Sequence, residues 1–137
     1  MMDRTRNFSV RVVRFTRNLP KDPAGYALAG QLIRSATSVG ANFREAQHAR
    51  TRNEFTSKLT VALQEAEEAR YWLEILHESG LGSIKLLKPL IDEASEFVAI
   101  LVATIRTTKG NRRNASHLGK FAISILIFAF LLSLPAT

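Results

Sequence analysis

At 137 residues the chain fits one domain, long enough to bury a core without disulfides or a structural metal. It has no cysteine, which excludes thiol redox chemistry, thiolate zinc sites and a disulfide framework. Its 19 basic and 12 acidic residues give a net charge of +7, a balance that speaks to association and not to fold. The charge is unevenly spread. Residues 1–60 carry a net of +7, residues 61–110 a net of −3 and residues 111–137 a net of +3. Such a distribution fits a polyanion partner or an anionic membrane surface, and equally a solvated face or complementary faces that pair in an oligomer. Arg4 and Arg6 lead into a mixed segment and not an apolar run, so no signal peptide is expected.

Four stretches carry apolar residues at helical spacing. The first helix is expected over 7–18, with Phe8, Val12, Phe15 and Leu19 inward and Arg11, Arg14 and Arg17 on the outer arc. Pro20 ends it. Asp22-Pro23 then reads as an N-cap followed by proline at the first helical position, where no N–H is needed. Leu28, Leu32, Ala36, Val39, Phe43 and Ala46 keep one face for about six turns, predicting a second helix over 23–50. Gly30 and Gly40 weaken it by up to ~1 kcal/mol each relative to alanine, and permit close approach of a neighbouring backbone. Thr51-Arg52-Asn53-Glu54 fits a capping box. The stripe Phe55, Leu59, Ala62, Leu63, Ala66, Ala69, Leu73 and Leu76 carries a third helix to about Ser79, and Gly80-Leu81 fits a left-handed C-cap. Pro89 cannot sit deep inside a helix, so the fourth is expected to begin at 86–89. Its stripe is Leu87, Ile91, Ala94, Val98, Leu101 and Ile105, ending near Lys109-Gly110. With no strand alternation and short connections, the fold class is all-α, an antiparallel up-down-up-down four-helix bundle over residues 1–110.

Beyond Gly110 the composition changes. Asn111-Arg112-Arg113-Asn114 is a basic linker, and Phe121 to Leu134 is an almost unbroken apolar run. Three readings compete: a tail anchor with basic flanking residues Arg112, Arg113 and Lys120, a fifth element packed on the bundle, or an extension from an altered reading frame. Residues 111–137 are expected to be dispensable for the fold. Asn114-Ala115-Ser116 matches a glycosylation acceptor, which carries no meaning without a signal peptide.

Glu45-Ala46-Gln47-His48 and Glu74-Ile75-Leu76-His77 both read Glu-x-x-His, the spacing that puts two metal ligands on one helix face. Antiparallel pairing with a turn near Thr51 sets residue i of the second helix opposite about 102 − i, which leaves the two histidines ~30 Å apart at 1.5 Å per residue. They are therefore read as surface or helix-end residues. There is no glycine-rich phosphate loop, paired-histidine zinc motif or nucleophile elbow. Glu65, Glu67 and Glu68 read as a solvated face. No catalytic site, cofactor or metal is expected, and the chain is read as not an enzyme.

Arg34, Ser38, Asn42 and Glu45 recur at steps of four, four and three, a polar line beside the apolar face of the second helix. Such a line either contacts a ligand or nucleic acid, or forms a hydrogen-bonded network between helices or subunits that fixes register. Alternating charge and amide groups favour the network. Arg11, Arg14 and Arg17, reinforced by Arg44, Arg50, Arg52 and Lys58 near the turn between the second and third helices, are the candidate nucleic-acid contacts. No aromatic interleaves these arginines at base-stacking spacing, which argues against specific single-strand readout. Trp72, Ile75 and Phe97 exceed what one stripe must bury, so some are expected to face a neighbour.

The stretch from Leu32 through Arg34, Ser38-Val39, Asn42 and Glu45 to Ala46 resembles the signature of the small four-helix bundle proteins encoded in intervening sequences of bacterial large-subunit ribosomal RNA genes. Glu54-Phe55 and the run from Glu68 to Leu73-Glu74 are similar to that family's pattern on the third helix. The resemblance covers about residues 8–108. Ala46 stands where the family has glycine, and the apolar tail has no counterpart. The resemblance implies a homo-oligomer, commonly a pentameric ring. It also implies kinship to the accessory protein of diversity-generating retroelements, a basic ring that binds nucleic acid and a reverse transcriptase. The resulting expectation is a cytoplasmic, non-enzymatic accessory protein associated with RNA or DNA, RNA favoured, membrane attachment entering only through residues 121–137. The alternative is an oligomeric scaffold that meets a protein through its basic face.

Overall fold

The computed structural model describes residues 1–110, which form four helices: α1 Met2–Thr16, α2 Pro23–Gln47, α3 Arg52–Glu78 and α4 Ile84–Gly110. No strand occurs among the described residues. All three readings of the tail concern residues outside them, and no described helix is long and apolar enough to cross a membrane. Consecutive helices pack on each other, and α4 closes back on α1 over a shorter stretch. This is the antiparallel four-helix bundle that the periodicity dictates.

Junction chemistry explains where the helices stop. Asp22 Oδ1 accepts from the Gly25 N–H at 2.8 Å, with Pro23 at the first helical position. Thr51 Oγ1 accepts from the Glu54 N–H at 3.1 Å. The Glu54 carboxylate reaches back to the Arg50 N–H at 2.9 Å, one residue earlier than a standard capping box requires. At the end of α3, Gly80 adopts φ +71°. The Leu81 N–H then donates to Leu76 O at 2.9 Å and the Gly80 N–H to His77 O at 3.1 Å, the two bonds of a Schellman cap.

Four boundaries differ from the sequence expectation, one being the end of α1, at Thr16 and not at 18. α2 ends at Gln47, with His48 as its C-cap. α1 begins at Met2, not at 7. Thr5 is buried and its hydroxyl donates to Met2 O at 3.0 Å, and Arg4 is bonded to α4, so tertiary contacts sustain a first turn that local propensity does not announce. α4 begins at Ile84 with Pro89 inside it. Ser83 O accepts from the Leu86 and Leu87 N–H groups at 3.0 and 2.9 Å. Proline in the second turn removes one intrahelical bond, the one that would reach the carbonyl of exposed Lys85.

The inward stripes meet in one core. Phe8, Val12, Phe15, Leu32, Val39, Leu59, Leu73, Leu87 and Leu101 are among its buried members. Phe55, Leu63, Leu28, Ile91 and Val98 are half-buried at its edge. Of Trp72, Ile75 and Phe97, some of which are expected to face a neighbour, Phe97 is not one: it is 0% exposed, with its ring edge-on to Phe8 at a centroid distance of 5.3 Å. The inward stripe of α4 therefore includes Leu90 and Phe97, the side that α1 covers. Gly40 lies where α1 comes closest, since an added Cβ would sit 3.0 Å from Thr5 Oγ1. Gly30 corrects the matching expectation, for an added Cβ there meets nothing within 4 Å.

Candidate nucleic-acid interface

α1 buries Phe8, Val12 and Phe15, so helical periodicity turns Arg11, Arg14 and Arg17 outward, and all three are exposed. Their side chains have no partner among the described residues, nor do those of exposed Arg44 and Arg50. Arg6, exposed on the same helix, belongs with them, although a helix expected to begin at residue 7 gives no reason to include it. Between residues 4 and 44 the only carboxylate is Asp22, and its Oδ1 is committed to the cap of α2. The outer layer built by α1 and α2 thus carries net positive charge, its other carboxylates being exposed Asp3 in the first turn of α1 and Glu45, which pairs with Lys58.

The candidate residues do not gather into one patch. Ser9 Oγ donates to Ala36 O at 3.2 Å, and Gly40 meets Thr5, which fixes the pairing of α1 with α2. Arg11, Arg14 and Arg17 consequently lie toward the start of α2. Arg50, Arg52 and Lys58 flank the α2–α3 turn at the other end of the bundle, and Arg44 sits between, beside the start of α1. Arg52 and Lys58 are half-buried and engaged. Arg52 Nη2 donates to Thr108 O and Lys58 Nζ pairs with Glu45. The uncommitted part of the set is Arg11, Arg14, Arg17, Arg44 and Arg50.

The polar line of α2 lies along the α2–α3 seam. Arg34 Nη1 donates to Glu65 Oε1 and Oε2 at 3.3 and 3.1 Å, and its Nη2 to Glu68. Ser38 Oγ donates to Arg34 O at 2.7 Å and Asn42 Nδ2 to Ser38 O at 2.9 Å, while Glu45 takes Lys58. The pairs Arg34–Glu68 and Glu45–Lys58 give the α2–α3 register of about 102 − i. The hydrogen bond from Arg34 holds the Glu68 carboxyl below its ordinary value, helped by the Trp72 indole N–H, which donates to Glu68 Oε1 at 3.0 Å. Glu68 in turn raises the Arg34 guanidinium. The reading of Glu65, Glu67 and Glu68 as a solvated face is corrected accordingly: two of the three are claimed by α2, and only Glu67 is exposed.

A second arginine clamp has no signal in the sequence, because its partners lie about ninety positions away. Arg4 Nε and Nη2 donate to the two oxygens of Glu93, each at 2.9 Å, and Nη2 also reaches Glu96. The guanidinium carbon stands 5.5 Å from the Phe97 ring centroid, and its bond to Glu93 raises the guanidinium further above its ordinary value. His48 caps α2, His77 lies in the last turn of α3, and both are exposed. Among the described residues no group of three potential metal ligands comes together.

Fold and surface together define a small antiparallel four-helix bundle with a basic outer layer. The chain belongs to the 23S rRNA-intervening sequence protein family, whose model matches residues 1–103. It is similar in structure to a protein with unknown function from the S23 ribosomal protein family of Bacteroides thetaiotaomicron. The two share 33% sequence identity at a TM-score of 0.72, covering 77% of this chain and 97% of that one. No curated protein matches the chain.

Proposed function

We propose that the protein is a non-enzymatic, oligomeric accessory protein that associates with nucleic acid, RNA in the first place, through the outer layer of α1 and α2. The observation that carries this reading is the row Arg11, Arg14 and Arg17, exposed and without partners among the described residues, on a layer whose one carboxylate between residues 4 and 44 is used as a helix cap. Such arginines hold phosphate oxygens by charge and paired N–H donors, independent of base sequence. Repeated around a ring of subunits, the row multiplies the phosphates held, so affinity is expected to fall steeply with salt. The test is a salt titration of binding to generic RNA and duplex DNA. Changing Arg11, Arg14 and Arg17 together to glutamine is expected to lower the log–log slope by about 0.7–0.9 for each phosphate no longer neutralised. An unchanged slope, or no binding at low salt, refutes the reading.

Self-association is part of the proposal and has its own support. The outer surface of α3 carries exposed Tyr71 beside half-buried Trp72 and Ile75, apolar side chains that a neighbouring subunit would cover. A pentamer, the state that family resemblance implies, is expected in sedimentation at micromolar concentration. A scaffold that meets a protein through the same basic layer is the second reading, and oligomers lacking nucleic-acid affinity would support it.

A further inference from the structure

Within α1 the aromatics Phe8 and Phe15 are buried, so an exposed ring beside the α1–α2 turn comes from α2. Tyr26, Ile33 and Gly40 follow one another on α2 at steps of seven, close to two full turns each. They therefore share one stripe of the helix, and Gly40 fixes its direction, since it meets Thr5 of α1. Toward the start of α2 this stripe runs past the end of α1, which stops at Thr16. Tyr26 is thus left uncovered at 63% exposure, the highest among the exposed large hydrophobic side chains of the described residues. The neighbouring chain is the α1–α2 turn, which carries exposed Arg17 and Lys21. One turn further along α2, Gly30 leaves open space where a side chain would stand, so a flat group lying on the tyrosine meets no obstruction from that position. Tyr71 and Trp72 provide a natural contrast. They form an edge-to-face pair at a 5.0 Å centroid distance, but on α3, where the Trp72 indole N–H is bonded to Glu68.

We infer that Tyr26 is a stacking platform for an unpaired base, and that the favoured ligand of the basic layer is a single-stranded nucleic acid whose phosphates lie along Arg11, Arg14 and Arg17. This rests on the nucleic-acid reading above and deepens it. A phenol ring offers a face to any base and requires only that the base be unstacked, which a single strand supplies and a continuous duplex does not. Base identity is not read; strandedness is.

The test measures binding of the full-length protein to a labelled single-stranded oligonucleotide and to a hairpin duplex of equal charge, at fixed low salt. Tyr26→Ala is expected to weaken single-strand binding about tenfold, within the range seen for loss of one stacked base, while leaving the hairpin affinity and the salt slope unchanged. Tyr26→Phe retains the ring and should bind as wild type. The inference is overturned if Tyr26→Ala binds the single strand like wild type, or if it loses the single strand and the duplex equally. Those results leave the basic-layer reading standing as long as the wild type binds with steep salt dependence. Absence of wild-type binding at low salt removes both. Because Tyr26 is exposed, the variant should keep the wild-type circular dichroism spectrum; a changed spectrum transfers the decision to Tyr26→Phe and to the hairpin control.

Discussion

The α1–α4 seam and the α2–α3 seam are each crossed by one arginine that reaches two carboxylates on the facing helix, and the two arrangements are not equivalent. Arg34 holds Glu65 and Glu68 over a long, continuous interface between helices of 25 and 27 residues. The register there is already enforced by the buried stripes beneath. Arg4 holds Glu93 and Glu96 at the seam where a helix of 15 residues closes the bundle. There the guanidinium also lies over Phe97, which packs on Phe8. An ion pair over an established interface adds little, because both charges remain solvated without it. One that sits on a short seam, against an aromatic pair, contributes to keeping a whole helix docked. The same charge pattern thus has different structural weight according to what lies under it.

Removing the aromatic support is the most direct way to break this comparison. Phe97→Ala is expected to cost about 3–5 kcal/mol, as for other buried phenylalanines, with α1 released first. Denaturant unfolding gives the magnitude, and hydrogen exchange in α1 faster than in α3 gives the location. Uniform loss of protection across all four helices would show that α1 is no weaker than the rest. Overpacking the α1–α2 interface comes next. Gly40→Val drives a side chain into Thr5 and is expected to destabilise by about 1–3 kcal/mol, whereas Gly30→Ala, in open space, should stabilise by up to ~1 kcal/mol. Equal responses at the two glycines would contradict the placement of α1.

The clamps themselves supply the third contrast. Arg4→Ala is expected to lower stability by about 1 kcal/mol once solvent screening is allowed for, and Arg34→Ala to leave the unfolding midpoint within error. The reverse order would mean that the α2–α3 seam depends on its ion pairs. The smallest effect is a titration. Because Glu68 is held below its ordinary carboxyl range, whatever it contributes is present above that range and is lost as pH falls through the depressed value. Trp72, the sole tryptophan, bonds to that carboxylate and reports on it. Its fluorescence is expected to change with a midpoint below the ordinary glutamate value, and Arg34→Ala should move that midpoint upward. A midpoint indifferent to Arg34 would show that the indole bond alone depresses the group.

Helix number, the caps at Asp22, Thr51 and Gly80, and most of the buried stripes were legible in the amino-acid sequence, because each depends on residues within a turn or two of one another. Fourfold spacing reveals an inward face, and a cap is a local hydrogen bond. The α2–α3 register followed from a tight turn between two long helices for the same reason. The early start of α1, the inward position of Phe97 and the Arg4 clamp were not legible, since each depends on an element about ninety positions away that local pattern does not encode. Among the candidate contacts, the sequence sufficed to find exposed Arg11, Arg14 and Arg17, whose direction is set by their own helix. Tertiary structure alone decided that Arg52 and Lys58 are engaged by Thr108 and Glu45, and that Tyr26 stands uncovered past the end of α1. A side chain's direction comes from its own helix, but what lies opposite it comes from how the helices are docked.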